Sequence, residues 1–139
     1  MPIRVIGLDH VVLRTRSIEA VLRFYRDVLG CAVERTIEPL GMSQLRAGAS
    51  LVDVIDSNIW AAPTPGGHGD LYDHFCLAVA GPVEDVLTAL DAAGVAHGPP
   101  TERYGATGHG PSIYATDPDG RTVELKIATD GGEEPAGRA

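Results

Sequence analysis

Ile113-Tyr114-Ala115-Thr116-Asp117-Pro118-Asp119-Gly120-Arg121-Thr122-Val123-Glu124-Leu125-Lys126 decides how the rest of the chain is read. Two β-like runs flank Asp117-Pro118-Asp119-Gly120. That tetrad suits a type I turn, with Asp at the first corner, Pro presetting φ at the second and Gly at the fourth. Beyond the turn, alternation places Val123, Leu125 and Ile127 on one face and Thr122, Glu124 and Lys126 on the other. Taken alone, Glu124 reads as a solvated residue on a one-sided sheet. Three other strands carry a potential ligand in the same setting, and the set changes that reading.

Upstream of this hairpin, Asp73 to Ala80 reads as a strand. Phe75, Leu77 and Val79 face one way, and His74, Cys76 and Ala78 the other. Gly81-Pro82 opens a helix with Pro near its first position, and Glu84 and Asp85 suit the positive first turn. Val83, Val86, Leu87, Leu90 and Ala93 form its apolar stripe, and Gly94 ends it. Val95 to Gly98 begins a short strand, followed by a Gly-, Thr- and Pro-rich loop from Pro99 to Gly110. The order of this half is β-α-β-β-β.

The first half repeats it. Ile3 to Thr15 reads as a strand, with Val11 and Leu13 on one face and Leu8, His10, Val12 and Arg14 on the other. Ser17 is a candidate N-cap. Ile18, Val21, Leu22, Tyr25 and Leu29 form one helical stripe, and Gly30 is its stop. Strand candidates follow at Cys31 to Glu38, Met42 to Ala47 and Ala49 to Ile55, with turns at Gly41 and Gly48. Asp9-His10-Val11-Val12-Leu13 opens one copy and Asp73-His74-Phe75-Cys76-Leu77 the other. Each copy closes on a carboxylate between aliphatics, Val52-Asp53-Val54 and Val123-Glu124-Leu125.

The expected fold is α+β, two βαβββ modules in tandem forming half-barrels around a central cleft. Residues 1–56 make the first module, 57–71 a linker, 72–128 the second module and 129–139 a flexible tail. Trp60, at the start of the linker, is expected to pack on the neighbouring half.

Composition narrows the function classes. The chain has 139 residues, enough for one domain or two small modules sharing a core. Its formal net charge of −8 argues against a nucleic-acid groove or an anionic membrane surface. No apolar run approaches the ~20 residues that span a bilayer. The first residues show neither the apolar core nor the cleavage pattern of a signal peptide, so a cytoplasmic location is the expectation. Cys31 and Cys76 form no CxxC pattern, and both read as buried thiols.

With the apolar faces beneath the helices, His10, Asp53, His74 and Glu124 fall on the concave face. Two imidazoles and one or two carboxylates suit a divalent first-row metal with positions open to water or substrate. Either histidine alone would read as a satisfied sheet residue. His68, His97 and His109 fall in loops. Solvated polar roles suit His68 and His97, whereas His109, between two glycines, is a candidate for the cavity mouth. Tyr114 shares the face of Ser112 and Thr116 and is a candidate to orient substrate, with a packing role as the alternative.

The repeat, the histidine in each opening strand and the terminal Glu resemble the vicinal oxygen chelate superfamily. That group includes glyoxalase I, bleomycin-resistance and fosfomycin-resistance proteins, and extradiol dioxygenases. The resemblance spans about residues 5 to 128. Its most specific pieces are Phe24-Tyr25-Arg26-Asp27-Val28-Leu29-Gly30 and Ser112-Ile113-Tyr114 leading into Asp117-Pro118-Asp119-Gly120 and Glu124. Pro63-Thr64-Pro65-Gly66 and Glu102-Arg103-Tyr104-Gly105-Ala106-Thr107-Gly108 also resemble a glyoxalase-domain subgroup that includes a virulence protein. That likeness supplies no reaction.

The resemblance implies metal ligands at His10, His74 and Glu124, with Asp53 where glyoxalase I has a Glu. Asp53 would bind through water or act as a base. Arg14 stands where glyoxalase I has an arginine that holds a substrate carboxylate; alternatively it pairs with Asp53 or Glu124. The implied activity is that of an isomerase or lyase, with Zn, Ni, Co, Mn or Fe as cofactor and Glu124 or Asp53 moving a proton. The same ligands also match a ferrous extradiol dioxygenase, or an enzyme adding a thiol or water to an antibiotic epoxide. A bleomycin-resistance-like binding protein without catalytic metal is the rival from outside the enzymes. The implied partners are a small-molecule substrate and a second copy in a homodimer.

Overall fold

The structure, a computed structural model, describes residue 4, residues 8–61 and residues 74–128. Most of the linker and the expected tail lie outside those residues. The chain divides into two compact units, Met1–Gly67 and His68–Ala139. No helix among the described residues is long and apolar enough to cross a membrane.

The first unit runs β1 (His10–Thr15), α1 (Ile18–Leu22), a π-helical segment (Arg23–Val28), β2 (Val33–Ile37), a 3-10 turn (Glu38–Leu40), β3 (Met42–Ala47) and β4 (Ser50–Asp56). The second runs β5 (Phe75–Val79), α2 (Val83–Ala92), β6 (Thr101–Gly105), β7 (Gly108–Thr116) and β8 (Thr122–Ile127). The protein is α+β, with two four-stranded sheets ordered β1-β4-β3-β2 and β5-β8-β7-β6. The topology is therefore the same in both. The strand that opens each unit lies parallel to the strand that closes it, and the other pairs are antiparallel.

Alternation sets what each sheet buries. Leu13, Val52 and Val54 are buried in the first unit, and Ile113, Ala115, Val123 and Leu125 in the second. Each large side chain so covered contributes roughly 1.5–3 kcal/mol. The inner strands β4 and β8 are covered on both faces, so Asp53 and Glu124 are buried too. Glu124 is not a solvated residue on a one-sided sheet.

Local details depart from the sequence reading in several places. Ser17 occupies the N-cap position of α1, but its side chain makes no capping bond; instead its backbone N–H donates to Thr15 Oγ1 at 2.8 Å. The apolar stripe does not keep a 3.6 period to Leu29. After Leu22 the helix widens, with Leu29 N–H bonding the Phe24 carbonyl five residues back. Adjacent Phe24 and Tyr25 both enter the core as a result, with ring centroids 4.9 Å apart, edge to face.

The largest correction concerns the second module. Val95 to Gly98 forms no strand and contributes one isolated bridge, His97 to Ala115. The expected loop instead forms β6 and the start of β7, joined by a tight hairpin at Gly105–Gly108. Glu102, Arg103 and Tyr104 are exposed on this edge strand, so no apolar alternation marks it. Gly108, at φ 97°, supplies the turn that the Gly-rich composition suggested for a loop.

Candidate functional site

Each unit holds one histidine–carboxylate pair, built by the same register. In the first, Val12 stands opposite Asp53 across β1 and β4, and His10 is two residues before Val12. In the second, Cys76 stands opposite Glu124 across β5 and β8, and His74 is two residues before Cys76. A two-residue step keeps a side chain on one face. Both histidines therefore share the face of their module's carboxylate.

The pair in the second unit is closed. His74 Nε2 donates to Glu124 Oε1 at 2.9 Å, and Ser112 Oγ donates to Glu124 Oε2 at 2.7 Å. Tyr114 stands directly opposite Glu124 across the ladder. Arg103 Nε in turn donates to the Tyr114 hydroxyl at 3.0 Å. Burial pushes the Glu124 carboxyl up, but the bonds from Ser112 and His74, with the neighbouring Tyr114 hydroxyl, outweigh it and hold the group below the ordinary carboxylate value.

The pair in the first unit is looser. His10 Nε2 lies 4.0 Å from Asp53 Oδ2, while its Nδ1 donates to Asp9 Oδ2 at 2.8 Å. That Asp9 bond raises the His10 pKa, against desolvation and with help from the Asp53 charge. Asp53 accepts from Gln44 Nε2 at 3.2 Å. Its Oδ1 is buried with no hydrogen-bond partner among the described residues.

Arg14 meets Trp60. Its Nη1 donates to the Trp60 carbonyl at 2.6 Å and its guanidinium lies over the Trp60 ring, 5.3 Å from the centroid. Trp60 thus meets its own module. His109 lies on β7 rather than in a loop, beside Tyr104 with ring centroids 4.9 Å apart. Alternation along β7 puts it on the face opposite Ser112 and Tyr114, away from the Glu124 face.

His97 is not a solvated loop residue: its ring is 15% exposed and bonded on both nitrogens. Cys31 is buried as expected, whereas Cys76 is exposed because β5 is an edge strand and its side chain shares the Glu124 face. Partial desolvation of its sulfur, with Glu124 beside it, pushes the Cys76 thiol up to about 11.

Ser112, Arg103 and Gln44 are the supporting residues the sequence reading did not assign. Ser112 and Gln44 were accessible from register, because each lies on a strand beside the carboxylate and on its face. Arg103 was hidden by the misplaced strand.

Imidazole and carboxylate are donor types that suit a divalent metal. Ligands bonded at about 2.1 Å and about 90–109° apart lie roughly 3.0–3.4 Å from one another. His74 Nε2 and Glu124 Oε1 are close to that separation, while His10 and Asp53 are somewhat wider. No group of three metal-binding side chains is assembled among the described residues.

The model of the glyoxalase/bleomycin resistance protein/dioxygenase superfamily matches residues 7–125. The chain belongs to that superfamily. It is 34% identical over 125 residues to virulence protein STM3117 of Salmonella typhimurium, covering 85% of this chain and 81% of that protein. The crystal structure of the same protein aligns with a TM-score of 0.74 at 30% identity, over 93% of this chain and all of that one. A lactoylglutathione lyase of Haemophilus influenzae is 27% identical over 124 residues, 84% of this chain and 88% of the lyase. A lactoylglutathione lyase structure from Agrobacterium tumefaciens shares the fold, with a TM-score of 0.63 at 21% identity over 92% and 98% of the two chains. The glyoxalase fold and the superfamily expected from the sequence are thereby established for this chain.

Proposed function

We propose that this member of the glyoxalase superfamily is a metal-dependent isomerase or lyase acting on a small, oxygen-chelating substrate in the cytoplasm. The observation that carries the reading is the His74–Glu124 pair, with Nε2 and Oε1 2.9 Å apart and the second carboxylate oxygen held by Ser112. The reading takes His10, His74 and Glu124 as the residues that hold a divalent Zn, Ni, Co, Mn or Fe ion. When bound, such an ion supplies Lewis acidity to two substrate oxygens as negative charge develops on them.

The chain's own residues do the rest. Asp53 or Glu124 takes a proton from carbon beside a carbonyl. Asp53 suits the task because Oδ1 has no hydrogen-bond partner among the described residues. Tyr114 steadies Glu124 and lies on the same face, where its hydroxyl meets substrate oxygen. Arg14 is the remaining substrate contact of this reading, whereas His109, on the other face of β7, takes no part in it. Lactoylglutathione lyases among the relatives support lyase chemistry, but a single arginine does not specify a glutathione conjugate. The working unit is proposed to be a homodimer.

Elemental analysis of protein purified without chelator or His-tag tests the reading, alongside His74→Ala and Glu124→Ala. Near-stoichiometric metal in the wild type, lost in both variants, supports it. Iron in place of the other metals shifts the chemistry to extradiol-type ring cleavage. No metal, and none taken up on titration, overturns both enzymes and leaves a small-molecule binding protein. Native mass over a dilution series reads the dimer, and metal retained by a demonstrated monomer removes any need for a second copy.

A further inference from the structure

The two modules differ at one buried position on the carboxylate face. Two residues after Asp53 stands Ile55, paired with Met42 and 3% exposed. Two residues after Glu124 stands Lys126, paired with Ser112 and 5% exposed. The sheet register is the same, so the fold accepts a buried aliphatic side chain at this point. The second module instead buries an ammonium, which is costly unless it meets an opposite charge.

Lys126 Nζ has no hydrogen-bond partner among the described residues. The nearby carboxylate does not serve it, because the two oxygens of Glu124 are engaged by His74 and Ser112. Lys126 instead lines a pocket of about 220 Å³ with Glu124, Cys76, Ala78 and the β6–β7 hairpin. Two glycines make room for its stem. A Cβ on Gly105 would stand 3.0 Å from Lys126 Cδ, and one on Gly110 would stand 3.3 Å from Nζ.

We infer that Lys126 anchors the anionic group of a small organic ligand in this pocket, beside Glu124. An ammonium is a compact charge with three donors, so it accepts a planar carboxylate or a tetrahedral phosphonate alike. The inference deepens the proposed function by naming the substrate class as a small organic anion. It rests on that reading for the reaction, but not for the binding, which needs only the second module's residues.

The test is calorimetric titration of the chelator-treated full chain with pyruvate and, separately, with methylphosphonate. Saturable binding of either is expected, and the tighter of the two tells carboxylate from phosphonate. Lys126→Met weakens it roughly tenfold or more, the loss of a hydrogen-bonded charge pair. Gly105→Ala, which crowds the stem but keeps the charge, weakens it less.

Failure of both probes to saturate the wild type overturns the inference. So does unchanged affinity in a Lys126→Met protein whose circular dichroism shows it folded. If that variant does not fold, unchanged affinity in Gly105→Ala overturns it. Metal analysis of the same proteins separates the two ideas. Anion binding without metal uptake sinks only the metal reading, and metal retention without anion binding sinks only this one.

Discussion

Ser112 Oγ and Glu124 Oε2 are 2.7 Å apart, joined by a hydrogen bond between neighbouring strands with Ser112 fully buried. The contact is diagonal, since Ser112 pairs with Lys126 and Tyr114 with Glu124. It fixes one carboxylate oxygen and leaves the other aimed at His74. A ligand's orientation is set in this way by its outer partners.

On the proposed metal-binding role of Glu124, Ser112→Ala is expected to weaken metal binding roughly ten- to a hundredfold. The metal-free protein should lose about 1.5–3 kcal/mol from one charge-assisted bond. Competition with a coloured chelator reads the first effect and urea unfolding the second. Unchanged metal affinity would show that Glu124 needs no support from Ser112.

His97 offers a pH test away from the site. Its Nδ1 lies 2.8 Å from the Gly98 carbonyl and its Nε2 2.6 Å from Asp91 Oδ1. Both partners accept, so the contacts favour the protonated ring, which donates from both nitrogens. The Gly98 carbonyl, then the Asp91 carboxylate, raise its pKa above the ordinary 6.5. A raised pKa gives stability that is full below the unfolded value and lost as pH rises through the folded one. Asp91→Asn should lower the His97 pKa in an NMR titration and flatten that part of the stability–pH curve. An unshifted His97 would count against the pair.

Asp117 ties the turn that sets the β7–β8 register. Oδ1 accepts from the backbone N–H groups of Asp119 and Arg121, each at 2.9 Å, and Oδ2 accepts from Arg121 Nη1 at 2.8 Å. Asp117→Ala should cost about 2–4 kcal/mol, because three donors lose a buried charged acceptor. Asp117→Asn should recover part of that. Thermal or urea unfolding checks both, and a loss below experimental error for Ala would show that the turn holds without the side chain.

Gly41 has φ 61°, and a Cβ there would fall 2.8 Å from Ile59 Cβ. Gly41→Ala combines left-handed strain with a clash against a branched carbon, so a loss of about 1–3 kcal/mol is expected. Gly48 also has positive φ, but open space around it, and Gly48→Ala should be milder. Equal losses in the two variants would remove the clash from the account.

By itself the sequence determined the repeated module, the strands that carry His10, Asp53 and Glu124, and the approach to His74. It did so because alternation and glycine turns are local, and local pattern specifies which residues share a face. The turn at Asp117-Pro118-Asp119-Gly120 was legible for the same reason. Tertiary structure decided what those patterns could not contain. The edge strand β6 has no apolar alternation and forms because β7 supplies hydrogen bonds to it. Phe24 enters the core because the helix widens beside the sheet, breaking the 3.6 period. Glu124 and Lys126 are buried because β8 is an inner strand covered on both faces, and burial of a charge depends on neighbours distant in sequence. Strand order, not residue type, turned one acidic residue among nineteen into the centre of a candidate site.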